Sequence, residues 1–181
     1  MPASSGATNA TPTPTLLLQP RQTMPGFALP DADGAIIRLR SFRQRRPILI
    51  ALLHSVTCPD CLAWLSTLSS AREELEYLTV QPLLIFPDDS PSLSALQHKL
   101  TLPGKLLSDP CNTTRDSYLR IEEPPAPPRV ALVAVGRYNE CLDAWVADEP
   151  SQWPSLTELL ATFAFAEQED CACGLPIWPS T

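Results

Sequence analysis

Ile48 to Leu65, reading ILIALLHSVTCPDCLAWL, is the stretch that most limits what this chain can fold into. An apolar run with β-branched residues, Ile48 to Leu53, gives way to a short polar link, His54-Ser55-Val56-Thr57, and then to Cys58-Pro59-Asp60-Cys61. A short apolar run closed by polar residues reads as a strand buried on both faces. Pro59 suits the first position of a helix, where its missing N–H would have had no partner. From there Leu62, Leu65, Leu68, Ala71, Leu75 and Leu78 recur at three- and four-residue steps, with Arg72, Glu73, Glu74 and Glu76 mostly opposite. That spacing predicts one amphipathic helix. A buried strand that delivers two cysteines onto the first turn of a helix is the layout thiol–disulfide chemistry requires.

The chemistry follows from the placement. Only a thiolate attacks a disulfide or a peroxide, and a free cysteine is mostly protonated at neutral pH. At the start of a helix the Cys58 sulfur meets unpaired backbone N–H groups and the positive end of the dipole. Cys61 lies one turn on, on the same side, and can displace a partner bound at Cys58. The expected roles are therefore Cys58 as nucleophile and Cys61 as resolving thiol, without metal or organic cofactor. Asp60 places a carboxylate beside Cys58, which disfavours the thiolate and predicts a more reducing dithiol than a basic spacer would give. His54, four residues before Cys58, reads as a strand-end residue, with a catalytic base as the alternative.

A Cys-x-x-Cys pair is also half a zinc site, and Cys171 with Cys173 could supply the other half. The one-residue C-terminal spacing is unusual for zinc, and a strand–CxxC–helix context favours redox chemistry. The tail pair could alternatively shuttle electrons to Cys58 and Cys61, or do nothing.

Composition removes other classes. With a formal charge of −7, the chain cannot neutralise a row of phosphates, so nucleic acid is not an expected partner. Its densest basic group, Arg38, Arg40, Arg43, Arg45 and Arg46, reads as a solvated rim. No apolar run is long enough to span a bilayer, and the N-terminus lacks the charge and apolar core of a secretory signal. The expected setting is the cytoplasm, where cysteines stay reduced unless they serve redox or metal chemistry.

Around the central stretch the other elements fall in order. Residues 1–22, rich in Thr, Pro, Ala and Ser, read as a flexible tail, 23–168 as one domain, and 169–181 as a Cys-containing tail. Phe27 to Pro30 and Ala35 to Leu39, joined by Asp33-Gly34, form a hairpin. Val80 to Phe86 is a second buried strand, and Ser90-Pro91 opens a short helix. Lys105 to Ser108 is a brief strand, and Thr113 to Arg120 holds two helical turns. Arg129 to Val135 and Cys141 to Val146 form an antiparallel hairpin across a turn at Gly136 to Asn139. Ser155-Leu156-Thr157-Glu158 is a capping box for the last helix. Right-handed crossovers then give a mixed central sheet with helices on both faces: an α/β, thioredoxin-like architecture with an N-terminal hairpin.

With these residues in hand, the sequence resembles the redoxin group of the thioredoxin superfamily, the alkyl hydroperoxide reductase/thiol-specific antioxidant family and its relatives. The resemblance runs through Pro25 to Asp31 with Gly34, Leu39 to Phe42, the strand into Cys58-Pro59-Asp60-Cys61, Leu106 to Pro110, and Arg129 to Gly136. It implies either a disulfide reductase with a CxxC dithiol or a thiol peroxidase with a peroxidatic cysteine. On the peroxidase reading, Ser55 stands three before Cys58 as that motif asks, although Ala51 replaces its proline. Arg129 would then match the arginine that holds thiolate and peroxide. On the reductase reading, Pro128 matches the cis-proline that faces the dithiol. Leu52 and Thr57 replace the buried acid and the tryptophan of general-purpose thioredoxins. The implied partners are a protein or small-molecule disulfide, or a peroxide, together with a thiol reductant. A metal-binding or interaction module on the same fold is the alternative from another class.

Overall fold

The computed structural model describes residues 15–120 and 129–172. In chain order these hold β1 (Thr15–Leu16), β2 (Ala28–Pro30), β3 (Ile36–Arg38), β4 (Ile48–Leu52), α1 (Pro59–Ser70), α2 (Arg72–Tyr77) and β5 (Gln81–Phe86). Then follow α3 (Ser90–Lys99), β6 (Lys105–Ser108), α4 (Thr113–Tyr118), β7 (Leu119–Arg120), β8 (Val130–Val135), β9 (Cys141–Ala147) and α5 (Leu156–Ala172).

The five-stranded sheet runs β6-β5-β4-β8-β9, with β4 at its centre. β4 pairs parallel with β5 and antiparallel with β8, and β5 pairs parallel with β6. Successive side chains of a strand point to opposite faces, so the uninterrupted apolar run at β4 must feed two layers. It does. Leu49, Ala51 and Leu53 join one apolar cluster with Leu65, Leu68, Leu93, Leu159 and Phe163 from α1, α3 and α5. Ile48, Ile50 and Leu52 join another with Leu29, Leu39, Tyr118 and Leu119. The expected mixed sheet with helices around it and a separate β2–β3 hairpin is the architecture found.

Three expectations meet a different outcome. The helix after the cysteines is divided at Ala71, whose φ of −94° and ψ of 22° leave the helical region. The Ser70 hydroxyl donates to the Thr67 carbonyl at 2.7 Å, and the Ala71 N–H turns to Leu68 instead. A hydroxyl competing for a helix carbonyl is a local break that apolar spacing does not reveal. Residues 15–22, read as the end of a tail, lie along the domain. β1 pairs with β7, Leu18 is buried, and Arg21 and Gln22 exchange backbone hydrogen bonds with Cys141. Finally, the backbone of residues 169–172 continues α5, which carries Cys171 on the helix rather than in a tail. Ser155 and Glu158 form the expected capping box at the other end, at 2.8 and 3.3 Å.

Candidate active site

At the C-terminal end of β4 the chain leaves the sheet, crosses His54 to Thr57 and enters α1. Cys58 is the N-cap residue, in extended conformation, with Pro59 at the first helical position. An N-cap side chain lies beside the unpaired N–H groups of the first turn, and the Cys58 sulfur makes no capping bond there. Cys58 is half-buried, whereas Cys61, one turn on, is fully buried in the apolar layer under α1. Both are free thiols. The Cys58 Sγ lies 3.7 Å from His54 Nδ1, and one nitrogen of His54 and the sulfurs of Cys58 and Cys61 all fall within 4.8 Å of one another.

Burial pushes the Cys61 thiol up to about 11. The nearby backbone of His54 and Ser55 opposes that rise, and the neighbouring Cys58 adds to it. Desolvation disfavours the charged form, so Cys61 keeps its proton while Cys58 remains a free neighbour.

Asp88, just beyond β5, fixes the link that precedes Cys58. Its carboxylate accepts from the Val56 N–H at 3.0 Å and from the Ser55 hydroxyl at 3.2 Å. Its carbonyl accepts from Ser108 at 2.7 Å, tying the ends of β5 and β6 together. Ser55 also accepts from the Thr57 N–H at 3.3 Å and sits 3.2 Å from the Thr57 hydroxyl. Both hydroxyls therefore serve the shape of the link. Asp60 is exposed on the first turn of α1.

Arg115 fastens the site from below. Its guanidinium donates to the Leu53 carbonyl at 2.6 Å and to the Arg129 carbonyl, joining the outgoing end of β4 to the incoming end of β8. The side chain is buried, and desolvation lowers its affinity for the proton, while the Asp109 and Asp116 carboxylates favour the charge. α4 is aimed by Asp109, which accepts from the Thr113 and Thr114 N–H groups at 3.0 and 2.8 Å. Arg129 turns its own guanidinium to Asp148 at 3.1 Å, and no hydrogen bond or ion pair among the described residues joins it to Cys58.

The structure thus gathers His54, Ser55, Thr57, Cys58, Pro59, Asp60 and Cys61 at one helix tip and directs the Arg129 side chain to Asp148. Pro128 and Cys173 lie outside the described residues. Asp88, Arg115 and Asp109 were not foreseen. No periodic pattern marks Asp88, and the signal available for Arg115 is its place as the lone basic residue between Asp109 and Asp116.

No curated protein matches the chain by sequence. Among solved structures it is similar to the peroxidoxin BcpB from Mycobacterium tuberculosis, at 17% identity over 82% of this chain and 97% of that one, TM-score 0.70. It is also similar to a thiol peroxidase from Chromobacterium violaceum, at 20% identity over 88% and 95%, TM-score 0.68. A Chlorobium tepidum protein named as a thiol:disulfide interchange protein DsbE matches at 15% identity over 81% and 99%, TM-score 0.65. These likenesses establish the thioredoxin-like fold. The family model described as AhpC/TSA matches residues 20–137, from the segment before the hairpin through the end of β8, and the chain belongs to that family.

Proposed function

We propose that the protein is a thiol–disulfide oxidoreductase working through Cys58 and Cys61. One observation carries the reading: a half-buried sulfur at a helix N-terminus has a second, fully buried sulfur within 4.8 Å. The Cys58 thiolate, its proton taken by His54, attacks a disulfide RS–SR′ and forms a mixed disulfide with one half while the other leaves as R′SH. Loss of the Cys58 charge removes one of the influences that keep Cys61 protonated. Cys61 then gives up its proton and attacks Cys58 Sγ, closing the Cys58–Cys61 bond and releasing RSH. An external thiol reductant returns the pair to the dithiol, in a cytoplasmic setting that keeps thiols reduced. Ser55 and Thr57 shape the link, and Pro59 starts the helix.

Membership of the AhpC/TSA family favours a second reading, a thiol peroxidase in which Cys58 attacks a peroxide and Cys61 resolves the sulfenic acid. Against it stand Ser55, engaged by Asp88, and Arg129, engaged by Asp148. Assays on one sample separate the two. The oxidoreductase reading expects dithiol-dependent reduction of a protein disulfide, with Cys61→Ser accumulating a mixed disulfide at Cys58. Rapid peroxide consumption abolished by Arg129→Ala, with negligible disulfide reduction, would reverse the assignment.

A further inference from the structure

The thiol cycle needs two sulfurs. The helix tip offers a third donor, the His54 ring, close to both sulfurs. A tetrahedral zinc with bonds of about 2.3 Å to sulfur and about 2.0–2.1 Å to nitrogen sets donor–donor edges of about 3.6–3.8 Å. Cys58 Sγ lies 3.7 Å from His54 Nδ1, and one His54 nitrogen and both sulfurs all fall within 4.8 Å of one another. Closing those edges asks for rotamer-scale shifts only. We propose that the reduced protein binds one zinc ion through His54, Cys58 and Cys61, with the fourth position open to solvent or to a thiol ligand.

Charge selects this ion class. Two thiolates and a neutral imidazole carry −2, so a divalent ion yields a neutral cluster, which suits a site where Cys61 is wholly buried. The donors are borderline-soft sulfur and nitrogen, a set that suits zinc and discriminates against magnesium and calcium. Cys61 loses its proton on binding, as a thiolate ligand must. Partial exposure of Cys58 and His54 gives the ion a way in.

Zinc and disulfide exclude each other, since each uses both sulfurs. A zinc-loaded dithiol meeting RS–SR gives up two electrons and takes two protons from solvent into two RSH, leaving the Cys58–Cys61 disulfide and free Zn²⁺. Zinc would therefore protect the reduced form and be released on oxidation.

The test is zinc titration of reduced, folded full-length protein against a chromophoric chelator, with cobalt as a spectroscopic stand-in. One equivalent should bind, with tetrahedral cobalt bands and thiolate charge transfer, and prior oxidation should abolish it. Loss of an outer partner of a zinc ligand already costs about 10–100-fold in affinity, so His54→Asn, which removes a ligand itself, should weaken binding at least tenfold. Cys61→Ser should abolish it, while Cys171→Ser/Cys173→Ser should leave it unchanged, each variant being checked for native circular dichroism. Undiminished affinity in both His54→Asn and His54→Ala, loss of binding in the Cys171/Cys173 variant, or no stoichiometric zinc would overturn the proposal. Disulfide reductase activity is measured separately, so failure here leaves the thiol cycle standing.

Discussion

Cys61 and Cys141 are two cysteines with nearly the same local chemistry and opposite surroundings. Both are buried, and desolvation pushes both thiols up to about 11. Cys61 lies in the layer under α1, one turn from a half-buried sulfur and within 4.8 Å of it and of a His54 nitrogen. Cys141 opens β9 on the other face of the sheet, in the cluster that contains Tyr118. Burial and the charge of Asp143 raise its thiol, with no contribution from a second sulfur among the described residues. Burial alone makes a cysteine an inert apolar residue. On the proposed thiol cycle, what sets Cys61 apart is the half-buried Cys58 supplied by the helix start.

The largest difference should appear on removing sulfur. Cys58→Ser should lower disulfide reduction by at least about 10³-fold, as loss of a nucleophile does. Cys141→Ser should change the rate less than twofold while costing about 1–3 kcal/mol of stability, read by denaturant unfolding, because a hydroxyl is buried without a partner. Equal activity losses in the two variants would erase the contrast.

Next comes the frame. Arg115→Met removes the donors to the Leu53 and Arg129 carbonyls and should destabilise by about 2–4 kcal/mol, since one buried and one part-buried acceptor lose their partner. Asp88→Ala frees the Val56 N–H and the Ser55 hydroxyl, costs about 1–2 kcal/mol, and should slow the Cys58 attack by about tenfold. An Arg115 variant of unchanged stability would show that the strand ends need no clamp.

Raised thiol pKa values also carry a sign. A cysteine ionising near 9 when unfolded and near 11 when folded contributes stability that is complete below about 9 and lost as pH rises through about 11. Reduced protein should therefore lose stability over that window through both Cys61 and Cys141. The Cys58–Cys61 disulfide form should keep only the Cys141 share of that loss. Thermal unfolding of both forms at pH 8 to 11 reads the difference. The smallest effect belongs to Asp60→Asn, which removes an exposed charge and should make the dithiol less reducing by only a few-fold in the exchange equilibrium.

Much of the fold was legible because it rests on periodicity. The uninterrupted apolar runs Ile48–Leu52 and Val130–Val135 and the three-four spacing from Leu62 to Leu75 are imposed by burial, which a sequence displays directly. The site was legible as far as it is local, from His54 to Cys61. Asp88 lies 32 residues from Val56, and Arg115 lies 62 from Leu53. Such polar clamps follow no period, and only the sheet order brings them together. The break at Ala71 escaped because a local hydroxyl bond leaves no mark on the apolar spacing, and the packing of Leu18 because its docking site is supplied elsewhere in the chain.

The most direct trial of the account is peptide mass spectrometry of the full chain after mild oxidation by a small-molecule disulfide, with free thiols blocked. The account predicts a Cys58–Cys61 linkage as the first product, with Cys141 still carrying the blocking group. Oxidation that leaves Cys58 and Cys61 separately modified, or that joins either to another cysteine first, would contradict it.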